Sequence, residues 1–263
     1  MPENAIEIDN LTRSFGNIRA LDGLSLGVPE GSVFGLIGPN GAGKTTTINC
    51  IADLLAPDSG SVKVFGKELK RDGIAVKKEM GILFENTADL FMYLSGEEQL
   101  RFVGEVYGLD RWTIEERMDT LFEYFELESH KWVLIEEYSK GMRKKLALAS
   151  ILMHNPRLII LDEVFDGLDT LTIVKVKKLL RKLRESGKTI LITSHILSFI
   201  EDLSDDVAII NKGRVVFQSK TAELRKKIKN GITNETYGSL EEIFLDITKT
   251  EGDDDPAVLD WIE

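Results

Sequence analysis

The chain has 263 residues, 43% hydrophobic and 29% charged, which is ordinary for a globular protein. Its net charge of -11 argues against binding nucleic acid through the phosphates, because such binding needs a basic face. The single cysteine, Cys50, excludes an internal disulfide and fits a reducing compartment. Neither a secretory signal nor an uninterrupted run of about 18 apolar residues is visible, so we expect a cytoplasmic protein that reaches a membrane only through a partner.

Short β-rich segments open the chain, at residues 5–11, 24–28 and 61–65, with glycine and proline turns between them. Residues 33–37 form a continuous apolar run, which predicts a strand buried on both faces. A glycine-rich turn and a predicted helix over residues 44–54 follow it.

Helical patterns dominate from about residue 95 to 155, at 97–107, 113–125 and 140–154. Strand patterns then return at 158–161, 189–193, 207–210 and 214–217, with a helix predicted over 171–185. This alternation predicts an α/β protein with a mostly parallel core sheet. The helical middle, at about 86–156, is then an insertion into one domain spanning residues 1–220.

Two further helical patterns, at 222–229 and 239–248, predict a C-terminal helical extension over residues 221–249. Residues 250–263 are acidic and mostly without periodicity, so we expect a solvated, flexible tail.

Residues 38–46 read G-P-N-G-A-G-K-T-T, between a buried strand and a helix, and match the phosphate-loop pattern G-x-x-x-x-G-K-[ST]. Glycines let backbone N–H groups wrap around phosphate oxygens, and the following helix adds its positive end. Lys44 is expected to reach the β- and γ-phosphates, and the Thr45 hydroxyl to ligate Mg²⁺. The alternative, a turn that merely tightens a strand–helix junction, leaves the Lys-Thr pair unexplained. The predicted ATP-binding residues here are Gly38, Asn40, Gly41, Gly43, Lys44, Thr45 and Thr46.

The apolar run 158–161 ends in Asp162 and Glu163, at the carboxyl end of a predicted strand. One carboxylate can hold Mg²⁺, and the next can polarise the attacking water. Many strands end in acidic residues, so this signal is specific only together with the phosphate loop. We expect Asp162 to be the metal ligand and Glu163 the catalytic base.

With these motifs in order, the chain resembles the ATPase subunit of an ABC transporter, from about residue 6 to 217. Residues 138–143, Y-S-K-G-M-R, resemble the family signature L-S-G-G-Q. The resemblance implies that Ser139 and Gly141 contact the γ-phosphate held by a second subunit. Lys140 and Met142 depart from the pattern, and Lys140 either favours phosphate binding or points into solvent.

Further residues match the family in order. Asp169, in G-L-D, resembles the D-loop residue that passes between subunits, and His195 resembles the switch histidine that contacts the γ-phosphate. Phe15 stands where family members place an aromatic ring that stacks on adenine. The alternative for Phe15 is an apolar plug in the β-rich lobe.

At the family's Q-loop glutamine this chain has Glu85, whose carboxylate can approach Mg²⁺ through water but adds negative charge near the γ-phosphate. Gln99 lies too far along a helical pattern to replace it. The apolar segment 90–94 follows, and in the family a short helix of the membrane subunit docks beside the Q-loop. Docking and burial in the helical insertion are the two interpretations of this segment.

The resemblance implies a P-loop NTPase fold with an N-terminal antiparallel β subdomain, and ATP and Mg²⁺ as cofactors. It also implies a homodimer, or pairing with a similar ATPase subunit, bound to a separate multi-span permease on the inner face of the membrane. The closing segment 239–245 resembles the exporter-type branch. The alternatives are a soluble ABC ATPase in assembly or repair, and a small-molecule kinase, which leaves Ser139, Gly141, Asp169 and His195 unexplained.

Overall fold

The strands of a computed structural model of the chain form two main sheets and one short pair. The structure describes residues 3–85, 90–224, 228–229, 236–237 and 240–248. In chain order the strands are β1 Asn4–Phe15, β2 Ile18–Pro29, β3 Val33–Ile37, β4 Ser59–Val64, β5 Lys67–Glu68, β6 Met80–Leu83, β7 Leu158–Asp162, β8 Thr189–Thr193, β9 Asp206–Asn211, β10 Arg214–Lys220, β11 Ile228–Lys229 and β12 Thr236–Tyr237.

The helices fall between these strands and, in the middle of the chain, next to one another. They are α1 Lys44–Ile51, α2 Leu69–Lys77, α3 Gly96–Val106, α4 Arg111–Phe125, α5 Lys140–Leu152, α6 Thr170–Glu185, α7 Leu197–Leu203, α8 Thr221–Leu224 and α9 Leu240–Thr248. Two single 3₁₀ turns, Glu128–His130 and Ile135–Glu137, separate α4 from α5.

The six-stranded core sheet has the order β10-β9-β3-β8-β7-β6, and every neighbouring pair from β9 to β6 is parallel. In β3, Val33 and Ile37 join one buried cluster while Phe34 and Leu36 join another on the opposite face. A strand buried on both faces has no polar side to alternate with. That is why its sequence is a continuous apolar run.

The second sheet, of order β2-β1-β4-β5, is antiparallel throughout and packs over α1 and one face of the core sheet. The helices α3, α4 and α5 pack on one another as the insertion between β6 and β7. Ser95 begins α3 with a capping box to Glu98, and Asp110 caps α4. The predicted α/β architecture, with its antiparallel subdomain and helical insertion, is confirmed.

The helix predicted over 222–229 is wrong at its last two residues. Helix α8 ends at Leu224, and Ile228–Lys229 pairs instead with Thr236–Tyr237 as antiparallel strands. A pairing partner later in the chain outweighed local helix propensity, which is a weak determinant over so short a segment. The predicted helix 239–248 is present as α9, whose Leu240 and Ile243 are buried.

The predicted acidic tail, 250–263, lies outside the described residues. In the part of the chain that the structure describes, no helix is both long and apolar enough to span a bilayer.

Candidate functional site

The phosphate loop connects the end of β3 to the start of α1. A Cβ on Gly38 would lie 2.3 Å from the carbonyl oxygen of Ile210, so only glycine fits there. Gly43 has φ +111°, and a Cβ there would lie 2.7 Å from the carbonyl oxygen of Ala20. The loop therefore needs glycine both for its conformation and for its close packing against neighbouring backbone.

Lys44 is the first residue of α1 and is only 8% exposed. Its Nζ donates hydrogen bonds to the carbonyl oxygens of Gly38, at 2.7 Å, and Pro39, at 3.2 Å. The ammonium group thus lies across the mouth of the loop, where the β- and γ-phosphates of a nucleotide would approach.

Asp162 ends β7 beside the loop and is 1% exposed. One carboxylate oxygen accepts a hydrogen bond from the Thr45 hydroxyl at 3.3 Å, and the other accepts one from the Thr193 hydroxyl. These oxygens converge because the carboxyl ends of β3, β7 and β8 meet at one edge of the parallel sheet. Thr193, which sequence reasoning named only as a neighbour of His195, fixes the orientation of the Asp162 carboxylate.

Glu163 follows Asp162 with a left-handed backbone, φ +48°, a region that residues other than glycine seldom adopt. Its Oε2 lies 2.9 Å from His195 Nδ1 and accepts a hydrogen bond from the His195 backbone N–H at 3.2 Å. His195 Nε2 lies 3.8 Å from a carboxylate oxygen of Asp166. The turn after β7 therefore aims Glu163 at the predicted switch histidine.

A cleft of about 770 Å³ joins these groups. Phe15 lies at its rim with 47% of its surface exposed, which is not the burial expected of an apolar plug. Glu85, at the end of β6, also faces the cleft, although Gln99 does not. The lining side chains and backbone belong to Phe15, Ala20, Asn40, Gly41, Gly43, Lys44, Thr45, Thr46, Glu85, Asp162, Glu163, Asp166 and His195.

Ser139, Gly141 and Asp169 do not line this cleft. Ser139 caps α5, its hydroxyl accepting from the Met142 N–H at 3.2 Å, and Asp169 caps α6 through the Thr172 N–H at 2.9 Å. Hydrogen bonds from Thr172 hold the pKa of Asp169 below its usual value. These residues form a second, exposed surface, separate from the nucleotide cleft of the same chain.

Lys140, which departs from the family signature, lies against the neighbouring loop. A Cβ on Gly167 would be 2.8 Å from Lys140 Cε and 3.2 Å from its Nζ. Gly167 also has φ +76°, so both its backbone conformation and the close approach of Lys140 require glycine at this position. The Lys140 side chain therefore lies over the loop that precedes Asp169.

Sequence reasoning missed Asp166 and Lys144. Asp166 lines the cleft and approaches His195. It is one of three acids in the loop between β7 and α6, and its type and position alone did not distinguish it. Lys144, on α5, is 2% exposed and lies within hydrogen-bond distance of the Glu163 carbonyl. Its position on a basic stretch of a helix predicts a solvated side chain, so no sequence signal identified it.

Residues 21–166 match the model of the ABC transporter family, a span that holds both the phosphate loop and the acidic end of β7. The chain belongs to the ABC transporter family. It is 36% identical over 231 residues to the daunorubicin/doxorubicin resistance ATP-binding protein DrrA of Streptomyces peucetius, covering 88% of this chain and 70% of the relative. It is 34% identical to the bacitracin transport ATP-binding protein BcrA of Enterococcus faecalis, covering 86% of this chain and 72% of the relative.

Solved structures of the family share the fold. A structure of the ATP-binding subunit of an ABC transporter matches with a TM-score of 0.84 and 30% identity, covering 93% of this chain and all of the other. CbiO1 of Clostridium perfringens, part of the ABC transporter complex CbiONQ, matches with a TM-score of 0.74 and 26% identity, covering 84% of this chain and 90% of the other. This ABC protein is thus an ATP-binding subunit with the ATPase domain of its family.

Proposed function

We propose that this subunit hydrolyses ATP at the cleft and energises export by a separate membrane subunit. The observation that carries the proposal is the hydrogen bond of Glu163 to His195 over a cleft whose floor is the phosphate loop. The Glu163 carboxylate polarises the attacking water, and His195 contacts the γ-phosphate. A direct test is phosphate release from the purified protein, with Glu163 replaced as described in the Discussion.

The residues at the end of β7 also suit Mg²⁺. The Thr45 hydroxyl and the Asp162 carboxylate are hard oxygen donors 3.3 Å apart, and Glu85 faces the same cleft. Thr45 and Asp162 would hold the ion directly or through water, and Glu85 through water. When bound with ATP, Mg²⁺ offsets the charge that develops on the phosphates.

We propose a homodimer, or pairing with a similar ATPase subunit, because Ser139, Gly141 and Asp169 do not line the nucleotide cleft of their own chain. Ser139 and Gly141 begin a helix whose positive end faces outward, away from the cleft of their own chain. Next to Asp169, Leu171 is 80% exposed. An exposed apolar residue beside an outward helix end supports a surface that a second copy covers when ATP is bound.

We infer export from the relatives. The relatives include ATP-binding proteins of daunorubicin/doxorubicin resistance, bacitracin transport and Nod factor export, the last from Ralstonia nicotianae at 34% identity. Among the described residues, the cleft that holds the phosphate loop and the acidic residues suits phosphates and not a cargo of that kind. The membrane partner therefore selects the cargo.

Phe15 provides a test of nucleotide stacking. We expect Phe15→Ala to raise the dissociation constant for ATP by about tenfold, because base–aromatic stacking contributes on the order of 1–3 kcal/mol. Phe15→Trp should restore affinity, since it restores the ring. Titration of a fluorescent ATP analogue measures the effect, with Ile18→Ala as the control because Ile18 is 72% exposed and does not line the cleft. Parent affinity in a folded Phe15→Ala protein would exclude stacking.

The surface that we propose for the membrane partner is a groove of about 330 Å³ between β6, α1 and the inserted helices α3 and α5. Its walls are largely apolar. The groove therefore suits the apolar face of an amphipathic helix. Groove-lining side chains include Leu54, Phe84, Val103, Tyr107 and His154.

The predicted docking segment, 90–94, lies beside this groove and alternates in burial. Leu90 is 5% exposed, whereas Phe91 and Tyr93 are 52% and 83% exposed. The Phe91 N–H donates to the side chain of Gln99, which lines the groove, and its ring packs edge-on against Phe102 at 5.1 Å. The burial of Leu90 supports packing within the helical insertion, and the exposure of Phe91 beside the groove supports docking.

We expect Phe91→Glu to keep the melting temperature and the ATPase rate of the isolated subunit but to abolish co-purification with membranes that contain the permease. In the proposed complex the membrane partner covers the Phe91 ring, and the substitution places a charge in that apolar contact. Trp112→Glu is the matched control, since Trp112 is a 72% exposed aromatic residue on α4, whereas Phe91 is hydrogen-bonded to the groove residue Gln99. Normal membrane binding by Phe91→Glu would move the docking site elsewhere.

A further inference from the structure

Lys144 lies behind the catalytic cleft rather than in it. It belongs to α5, the helix that Ser139 begins, and is 2% exposed. It does not line the cleft, so it makes no direct contact with a nucleotide bound there. A buried ammonium is costly unless hydrogen bonds and nearby opposite charge compensate it. The groups around the Lys144 ammonium therefore indicate its role.

The Lys144 ammonium joins three parts of the protein. Its Nζ donates to the backbone carbonyl oxygen of Glu163 at 3.1 Å and approaches that of Glu85 at 3.4 Å. Glu163 follows β7 and Glu85 follows β6, so one side chain ties α5 to the ends of both strands. Both acceptors are main-chain atoms, so the hydrogen bonds act on the backbone and do not depend on a side-chain rotamer of either glutamate.

Acidic side chains of the site act on the charge of Lys144. Burial lowers the pKa of the Lys144 amine, and Lys140 adds to the lowering. The carboxylates of Asp166, Glu85 and Asp162 act in the opposite direction. Glu85 stands where the family resemblance implies a glutamine. The carboxylate of Glu85, which lines the cleft, therefore has a nearby cation, and that cation does not itself line the cleft.

The Glu163 backbone is held on both sides. Its N–H faces the Thr193 carbonyl oxygen at 3.3 Å and the Thr193 hydroxyl at 3.2 Å. Its C=O accepts from Lys144 Nζ at 3.1 Å and from the Asp166 N–H, in the turn after β7, at 3.3 Å. Between these contacts φ is +48°, a conformation that surrounding contacts must maintain in a residue other than glycine. That conformation directs the carboxylate to His195.

We propose that Lys144 is a positioning residue for Glu163: its buried ammonium, hydrogen-bonded to the Glu163 carbonyl, maintains the left-handed backbone that aims the catalytic carboxylate. The proposal rests on the catalytic role proposed for Glu163. It predicts a residue that affects turnover and not nucleotide affinity, although it touches neither ATP nor the attacking water.

The test compares Lys144→Met, which has a similar length without charge or donors, with Lys144→Arg, which keeps both. We expect Lys144→Met to lower kcat about tenfold to a hundredfold, the range that follows from misplacing a catalytic group by about 1 Å. The KM and the dissociation constant for ATP should stay within about twofold of the parent, since Lys144 is outside the cleft. Lys144→Arg should recover a measurable part of kcat.

Lys145→Met is the control on the same helix, at a partly exposed side chain. A folded Lys144→Met protein with parent kcat overturns the positioning role, and so does a parallel loss of ATP affinity, which would indicate general disruption of the site. If Lys144→Met does not fold, Lys144→Gln, which keeps an amide donor, replaces it in the test, and kcat and the dissociation constant for ATP are measured in the same way. If Glu163→Gln itself keeps parent turnover, the catalytic role proposed for Glu163 fails, and the positioning role fails with it. If Glu163→Gln is inactive and Lys144→Met is not impaired, only the positioning role fails.

Discussion

Replacing Glu163 by glutamine should abolish ATP turnover while leaving ATP binding intact. The amide has the shape of the carboxylate and can still hydrogen-bond to His195, 2.9 Å away, but it cannot accept a proton from the attacking water. General bases contribute on the order of 10²- to 10⁴-fold, so the rate of phosphate release should fall by at least about a hundredfold. Because ATP still binds and no longer leaves as products, the variant should accumulate as an ATP-bound dimer.

Phosphate release and gel filtration in ATP measure these two results on one preparation. Glu123→Gln, at an exposed acid on α4, is the matched control and should behave as the parent protein. A Glu163→Gln protein with a near-parent ATPase rate would assign catalysis to another group, and Asp166, 3.8 Å from His195 Nε2, would be the first to examine.

Replacing Lys44 by alanine should produce the opposite pattern, a loss of affinity. Nζ of Lys44 is the only described ammonium that lines the cleft, and it is held by the loop carbonyls of Gly38 and Pro39. A hydrogen bond to a charged group contributes about 1.5–3 kcal/mol, which corresponds to roughly a tenfold to hundredfold rise in the dissociation constant for ATP. The substitution also removes the hydrogen bonds from Lys44 to the loop carbonyls. The rise in the dissociation constant should therefore lie toward the upper end of this range.

Calorimetric titration with a non-hydrolysable ATP analogue measures this affinity directly. Lys178→Ala, which removes an exposed ammonium from α6, is the control for net charge. Unchanged affinity for Lys44→Ala would mean that the glycine loop and the start of α1 bind the phosphates without it.

Several elements follow from local pattern alone. Strands β3 and β8 begin and end where the apolar runs 33–37 and 189–193 predict, since both faces of each strand are covered and polarity changes sharply at their ends. The phosphate loop and the pair Asp162–Glu163 are equally local, because their chemistry needs a fixed order and spacing. The segment 222–229 shows the limit of such patterns: its apolar spacing suits a helix, yet its last two residues pair as β11 with a strand that comes later.

The sequence predicts which motifs form the cleft but not how their side chains are arranged in space. That Phe15, Glu85 and His195 share one cleft, while Ser139 and Asp169 do not, depends on how strands distant in the chain are ordered in the sheet. The family resemblance implied that Ser139 and Asp169 act between subunits, and the sequence itself contains no distance that would separate them from the cleft.

The sequence by itself determined the fold class, the family and the residues of the nucleotide motifs, because buried strands and phosphate-binding turns each require a particular local order of residue types. Only the tertiary structure decided which side chains support those motifs. Lys144 lies among basic residues on a helix and reads as solvated, yet the fold buries it 3.1 Å from the Glu163 carbonyl. Burial and hydrogen bonding between residues far apart in the chain depend on packing, and packing leaves no signature in the spacing of one segment.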